Sequence, residues 1–198
     1  MQDRGMAPSH TPEVRGSGET GVPQTVRDAF ERRLRSEGPI AALALLNTRT
    51  RFRFTGLYRV VPPQLHNVRL YDRENPTLNI SGAVCALSDT YCGITCATDD
   101  AFTVDDGPSD ARLAQHPARE SVQSYAGVPV RLSGGRVLGT LCHFDGRPRI
   151  LPSGELSVMR DLAPLLAPWL VGDPGHPPRL AAAPQGARCR ASMFARTM

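Results

Sequence analysis

Cysteine is the residue type here with the widest chemical range, and the chain has five: Cys85, Cys92, Cys96, Cys142 and Cys189. Cys92 and Cys96 stand four apart, which puts both thiols on one face of a helix. A zinc site needs four thiolate or imidazole ligands. His116 or His143 can be set beside that pair on paper, but nothing else in the spacing supports a site, and no metal is expected. A Ser124-His143-Asp145 set lacks the strand-turn-helix elbow that exposes a nucleophilic serine. His66, His116 and His176 have no partner arrangement for general-base work. Residue types alone assign no catalytic group. Arg49, Arg51 and Arg53 form an alternating basic row that reads either as an anion-binding surface or as a solvated strand edge resisting aggregation.

Composition narrows the class. The 198 residues carry a net charge of +4 with 23 basic residues, all of them arginine, a side chain suited to anions. The length fits one domain with tails. Residues 1–22 are rich in Gly, Pro, Ser and Thr and read as a disordered lead, residues 23–37 as an amphipathic helix, 38–171 as the folded domain and 172–198 as a disordered tail. No apolar run suggests a signal peptide or a membrane span, and a cytoplasmic location with reduced thiols is expected. No helix-turn-helix, zinc-finger or RNA-binding aromatic pattern points to nucleic acid.

The elements follow from periodicity. Gln24 to Arg35 places Val26, Ala29, Phe30 and Leu34 on one helical stripe, fit for a dimer contact or for lying on the sheet. Pro39 opens a second helix, Ile40 to Thr50. Strands are expected at Arg53–Val61, with Phe54, Gly56, Tyr58 and Val60 on one face, and at Leu65–Tyr71, with Val68 and Leu70 inward. The polar loop Asp72–Pro76 reads as a mobile flap. Ser88-Asp89 is set to cap a short helix holding Tyr91, Cys92, Thr95 and Cys96. A short strand, Ala101–Asp105, and a helical turn from Ser109-Asp110 to Leu113 follow. Tyr125–Leu132 and Arg136–Phe144 form a hairpin around Ser133-Gly134-Gly135. Its second strand, apolar on both faces, should be central, while Gly127 and Pro129 give the first an irregular or edge course. Ser153 caps a last helix that Pro164 and Pro168 should kink or end early.

The run YAGVPV, a glycine turn and GTLCHFDGRPR resembles the closing hairpin of GAF domains, closest to the bacterial variant found with diguanylate cyclases and sensor kinases. Thr90-Tyr91-Cys92-Gly93, Val104-Asp105-Asp106 and Asp110-Ala111-Arg112-Leu113 match the same pattern in the same order, over about Gly38 to Val171. The resemblance implies an α+β fold: a mostly antiparallel sheet of five or six strands with helices on both faces. It also implies a small-molecule cleft walled by Tyr91, Cys92, Thr95, Asp105, Tyr125, Thr140, Cys142 and Phe144. A sealed core would have the same composition, and both readings stay open.

The expected function is a non-catalytic sensor module for signal transduction. Its partners would be an unidentified small molecule, a second copy of the chain or a signalling protein, with no cofactor specified. One alternative is a ligand-free dimerisation module. The other comes from the free-methionine-R-sulfoxide reductases, GAF-fold enzymes with three working cysteines. Tyr91-Cys92-Gly93 resembles their second cysteine site and Cys85 stands loosely for the first, but the third position is Arg119, which leaves no nucleophile. Bilin attachment at Cys142-His143 is not expected, because neighbouring residues of a strand point to opposite faces.

Overall fold

A computed structural model of the chain describes residues 24–78 and 81–171; the expected disordered lead and tail lie outside these. The element order is α1 (Gln24–Ser36), α2 (Pro39–Asn47), β1 (Phe54–Val61), β2 (Gln64–Asp72), β3 (Val84–Ala86), α3 (Tyr91–Thr98), β4 (Phe102–Val104), β5 (Ser124–Arg131), β6 (Val137–Asp145) and α4 (Glu155–Val171). The six strands form one antiparallel sheet in the order β3-β2-β1-β6-β5-β4. This is an α+β fold.

Alternation along β6 sets the two layers. Leu141 joins Leu57, Ala126, Val128 and Val130 on the face covered by α1, α2 and α4, where Phe30, Leu43, Leu46, Met159, Leu162 and Leu166 complete the core. Cys142 and Phe144 face the other way, with Phe54, Tyr58 and Tyr125, toward α3 and the segment before β5. β6 is central, and Gly134 and Gly135 take the positive φ its hairpin needs. β5 is paired by β4 only through Gly127, so Val128 onward runs along the sheet's edge.

Several local expectations are corrected. Val68 and Leu70 do not share a face: a bulge lets Leu57 pair Arg69 and Tyr58 pair Asn67, so Val68 turns to the helix side while Leu70 joins the α3 side. Such an extra residue reverses alternation. The first helix packs chiefly on α2 and α4, through Phe30 and Leu34, within the core on that face of the sheet. The second ends at Asn47, three residues early, because Arg73 Nη2 donates to the Asn47 and Thr50 carbonyls. The same contacts tie down the loop expected to be a flap, where Glu74 N also donates to Asp72 Oδ1. Gly154, not Ser153, supplies the first carbonyl of α4. That helix continues through Pro164 and Pro168. Both prolines are exposed, so the carbonyls they leave unpaired lie on the solvent side.

A polar lattice crosses the helix face. Asn47 Nδ2 donates to Thr55 Oγ1 at 2.8 Å, which in turn meets His143 Nδ1 at 2.8 Å. His143 Nε2 faces Glu155 Oε1 at 3.9 Å, and Arg49 Nε holds Glu155 Oε2 at 2.8 Å. Arg53 grips Asp72 through two 2.8 Å bonds. Two arginines of the basic row, Arg49 and Arg53, are thus engaged within the fold, while Arg51 is exposed.

Two tests follow. A Cβ at Gly139 would lie 1.9 Å from the Tyr58 carbonyl oxygen, so Gly139→Ala must force β1 and β6 apart. It should cost about 1–3 kcal/mol or more, read as a lower urea midpoint at unchanged slope. Burial, reinforced by Arg73 and Arg49, holds His143 neutral down to about pH 3, against an ordinary value of 6.5. The unfolded chain then binds a proton that the folded chain refuses, so stability falls as pH drops from 6.5 toward 3. Glu155, raised above 4.5 by burial, acts in the opposite sense as pH falls through its range. His143→Gln should flatten the acid slope relative to the unmutated chain, measured by denaturant midpoints between about pH 4 and 7.

Candidate functional site

Strand register lays out the α3 face in three rows. One reads Phe54, Phe144, Tyr125, Val104; the next Leu70, Gly56, Cys142, Gly127, Phe102; the third Asn67, Tyr58, Thr140, Pro129. The middle row has no side chain at Gly56 or Gly127, leaving a shallow floor on either side of Cys142. Two tyrosines fill it from opposite directions. A Cβ at Gly127 would stand 2.0 Å from Tyr125 Oη, and one at Gly56 would stand 2.4 Å from Tyr58 Cε2. Each ring therefore lies flat along its own strand, over the glycine two residues away.

α3 closes over this floor. Thr90, rather than Ser88 or Asp89, caps it, accepting from Gly93 N at 3.2 Å. Its first turn delivers Tyr91, Cys92 and Thr95 to the sheet, all buried. Tyr125 Oη donates to Cys92 Sγ at 3.4 Å and lies 3.1 Å from Thr95 Oγ1. Tyr91 meets Tyr125 edge-on at 5.5 Å, Phe102 at 6.0 Å and the His116 ring at 4.7 Å. Phe54 stacks on Phe144 at 4.8 Å.

Seven of the eight residues expected to wall a cleft thus come together in one buried cluster. Asp105 does not join them: β4 ends at Val104, and Asp105 is exposed, its carbonyl accepting from Arg149 N. Phe54, Tyr58, Gly56, Gly127 and Phe102 belong to the site and were missed as a group. The signal was a glycine two residues from a tyrosine on both strands, which places ring and gap on the same face. The open surface depression bordered by Asp28, Arg32, Arg35 and Ser36 lies on α1, across the sheet.

The electrostatics separate the thiols. The neighbouring Cys142 thiol, aided by Thr140 and Tyr125, lowers the Cys92 pKa against the effect of burial. Burial drives Cys142 and Tyr125 well above their ordinary values, and pushes Cys96 and Tyr91 up to about 12. Cys92, Cys96 and Cys142 form no disulfide. Cys85 sits on β3, three strands from β6, roughly 14 Å at ordinary strand spacing. Arg119 Nε donates to the Gly107 carbonyl at 3.2 Å, and its Nη2 to that of Pro108. Ser124 Oγ donates to the Arg147 carbonyl while His143 turns to Thr55, which separates the Ser-His-Asp set. Among the described residues no cluster of three or more His, Cys, Asp or Glu could hold a metal, and no helix is long and apolar enough to cross a membrane.

A GAF domain model matches residues 18–170. The chain belongs to the GAF domain family. No curated protein matches it. Among solved structures, it is similar to free methionine-R-sulfoxide reductase from Neisseria meningitidis in complex with its substrate, at 18% identity and TM-score 0.57, covering 82% of this chain and 96% of that one. It is also similar to the GAF domain of Acinetobacter phosphoenolpyruvate-protein phosphotransferase, at 12% identity and TM-score 0.55, covering 74% and 91%. A third is the chromophore-binding domain of an R. palustris bacteriophytochrome, at 10% identity and TM-score 0.58, covering 75% and 59%. At these identities the GAF fold is what is shared; their chemistries differ.

The tyrosine seats can be tested directly. Gly127→Ala should push Tyr125 off its seat, and Cys92 should then react with an aromatic disulfide reagent about tenfold faster, the factor that ~1.4 kcal/mol of lost closure represents. Tyr125→Phe, which removes only the hydroxyl, should lower stability by about 0.5–1.5 kcal/mol. Unchanged thiol reactivity in Gly127→Ala would show that the ring does not control access.

Proposed function

We propose that this GAF domain is a non-catalytic regulatory module, a sensor whose small-molecule cleft is gated by its own tyrosines. The observation that carries this is the seating of Tyr125 and Tyr58 on bare glycine backbone. A core built only for stability gains from side chains at such positions, since an interior glycine weakens a strand. Two glycines under two rings instead provide a floor that those rings can vacate without unpairing the sheet. A ligand entering over Cys142 would displace Tyr125, break its bond to Cys92 and so move the first turn of α3. That displacement is the signal, and it would reach a signalling protein or a second copy of the chain through α3 and the segment before β5. The cytoplasm, where thiols stay reduced, is the compartment this arrangement suits.

The reductase alternative finds less support. The position of a third cysteine holds Arg119, whose guanidinium is occupied with two loop carbonyls, and Cys85 is three strands away from the Cys92 cluster. Sulfoxide reduction needs a thiolate that a whole free amino acid can reach, and Cys92 is 4% exposed beneath Tyr125, which leaves access only for an oxidant near the size of water.

The test is native mass spectrometry of the chain isolated from cells, with the denatured mass alongside. The expected result is a small-molecule adduct that is lost on denaturation and whose occupancy changes in Gly127→Ala. An adduct-free chain that turns over free methionine sulfoxide with a dithiol, and stops doing so in Cys92→Ser, would overturn the proposal in favour of the enzyme. An adduct-free dimer without turnover would overturn it in favour of a dimerisation module.

A further inference from the structure

Cys92 and Cys142 have an arrangement that neither the sensor reading nor ordinary packing requires. Cys142 lies between Gly56 and Gly127 in register, so its side chain rises from the floor between the two tyrosine rings. Cys92 comes down from the first turn of α3, its sulfur 3.4 Å from Tyr125 Oη, and that hydroxyl itself lies over Gly127, the strand neighbour of Cys142. The register and the Tyr125 bond thus place both thiols in the same buried cluster, beside the Gly127 seat. Their surroundings differ. Cys92 receives hydrogen bonds and sits at a helix N-terminal turn, both of which favour a thiolate. Cys142 donates its weak S–H toward the Gly56 carbonyl, at 3.8 Å, on a rigid central strand. One thiol is arranged to attack and the other to resolve.

We propose that Cys92 and Cys142 are a site of oxidative modification, closing into a disulfide when the domain meets hydrogen peroxide. The Cys92 thiolate attacks a peroxide oxygen; the O–O bond breaks, Cys92 becomes a sulfenic acid, and the leaving hydroxide takes up the proton that Cys92 released, giving water. The Cys142 sulfur then attacks the Cys92 sulfur; the S–O bond breaks, and hydroxide leaves with the Cys142 proton as a second water. The two thiols lose two electrons and the peroxide gains them. The bond pins the first turn of α3 to β6 beside the Tyr125 seat, so oxidation would hold the gate shut. That consequence rests on the gated-cleft reading; the cross-link itself does not.

The test treats the full chain with hydrogen peroxide, blocks the remaining thiols, and digests with trypsin, which here cuts only at arginine because there is no lysine. The expected product is peptide 74–112 disulfide-bonded to peptide 137–149, with fragment spectra placing the link at Cys92. It should persist in Cys96→Ala and vanish in Cys142→Ala. The result on the unmutated chain decides the matter even if Cys142→Ala does not fold. A Cys92–Cys96 link, Cys92 advancing to sulfinic acid while Cys142 stays blocked, or both thiols intact would each overturn the proposal. Because no ligand is involved, failure here leaves the sensor reading standing, and an absent adduct leaves this one.

Discussion

Two tyrosine rings lying on a strip of sheet without side chains decide what the space beneath α3 contains. Tyr125 and Tyr58 approach from adjoining rows and meet the Gly56-Cys142-Gly127 row from either side. Everything on that face is arranged around them. The edge-on contact of Tyr91 with Tyr125 positions the start of α3. The Tyr125 hydroxyl holds both Cys92 and Thr95. Buried hydroxyls are costly without partners, so the ring cannot leave unless something else satisfies those groups. A ligand with polar atoms at the right places does that; water admitted by a loosened helix does it less well.

The opposite face has no such latitude. Asn47, Thr55 and His143 join α2, β1 and β6 through hydrogen bonds, Arg49 bonds Glu155 of α4, and His143 faces Glu155 at 3.9 Å across this buried layer. Removing one partner from such a lattice strands the others, so it resists partial rearrangement. Arg73 adds a further tie by closing the end of α2 from the loop after β2. The sheet therefore has one face tied by hydrogen bonds and another filled by packed aromatic rings.

How far this was legible depended on the kind of constraint. The closing hairpin could be read because strict alternation and a Gly-Gly turn leave few alternatives, and β6 is as central as its doubly apolar sequence implied. Cys92, Cys142 and Tyr125 were expected on one wall through a family pattern, and the structure packs them in one buried cluster. The bulge at Val68 could not be read, since nothing local distinguishes an extra residue from a continuing strand. Nor could the Thr90 cap, because Ser88 and Asp89 offer equally good oxygens; the short 3₁₀ turn at Leu87–Asp89 decides the matter. Pro164 and Pro168 argued for a break that packing overrides, as Leu162, Leu166 and Leu170 are all buried on the far side of the helix. The arginine row was misleading because its partners, Glu155 and Asp72, are remote in sequence or beyond a hairpin.

The second half of β5 has a further consequence. Beyond Gly127 this strand pairs with no described strand on its outer side, a place where an extended segment from another protein would normally add itself to the sheet. Pro129 removes one of the amides such a guest would need, and the irregularity at Val130/Arg131 twists the remainder out of line. β4 itself offers only three residues. Strand addition is therefore blocked along this border.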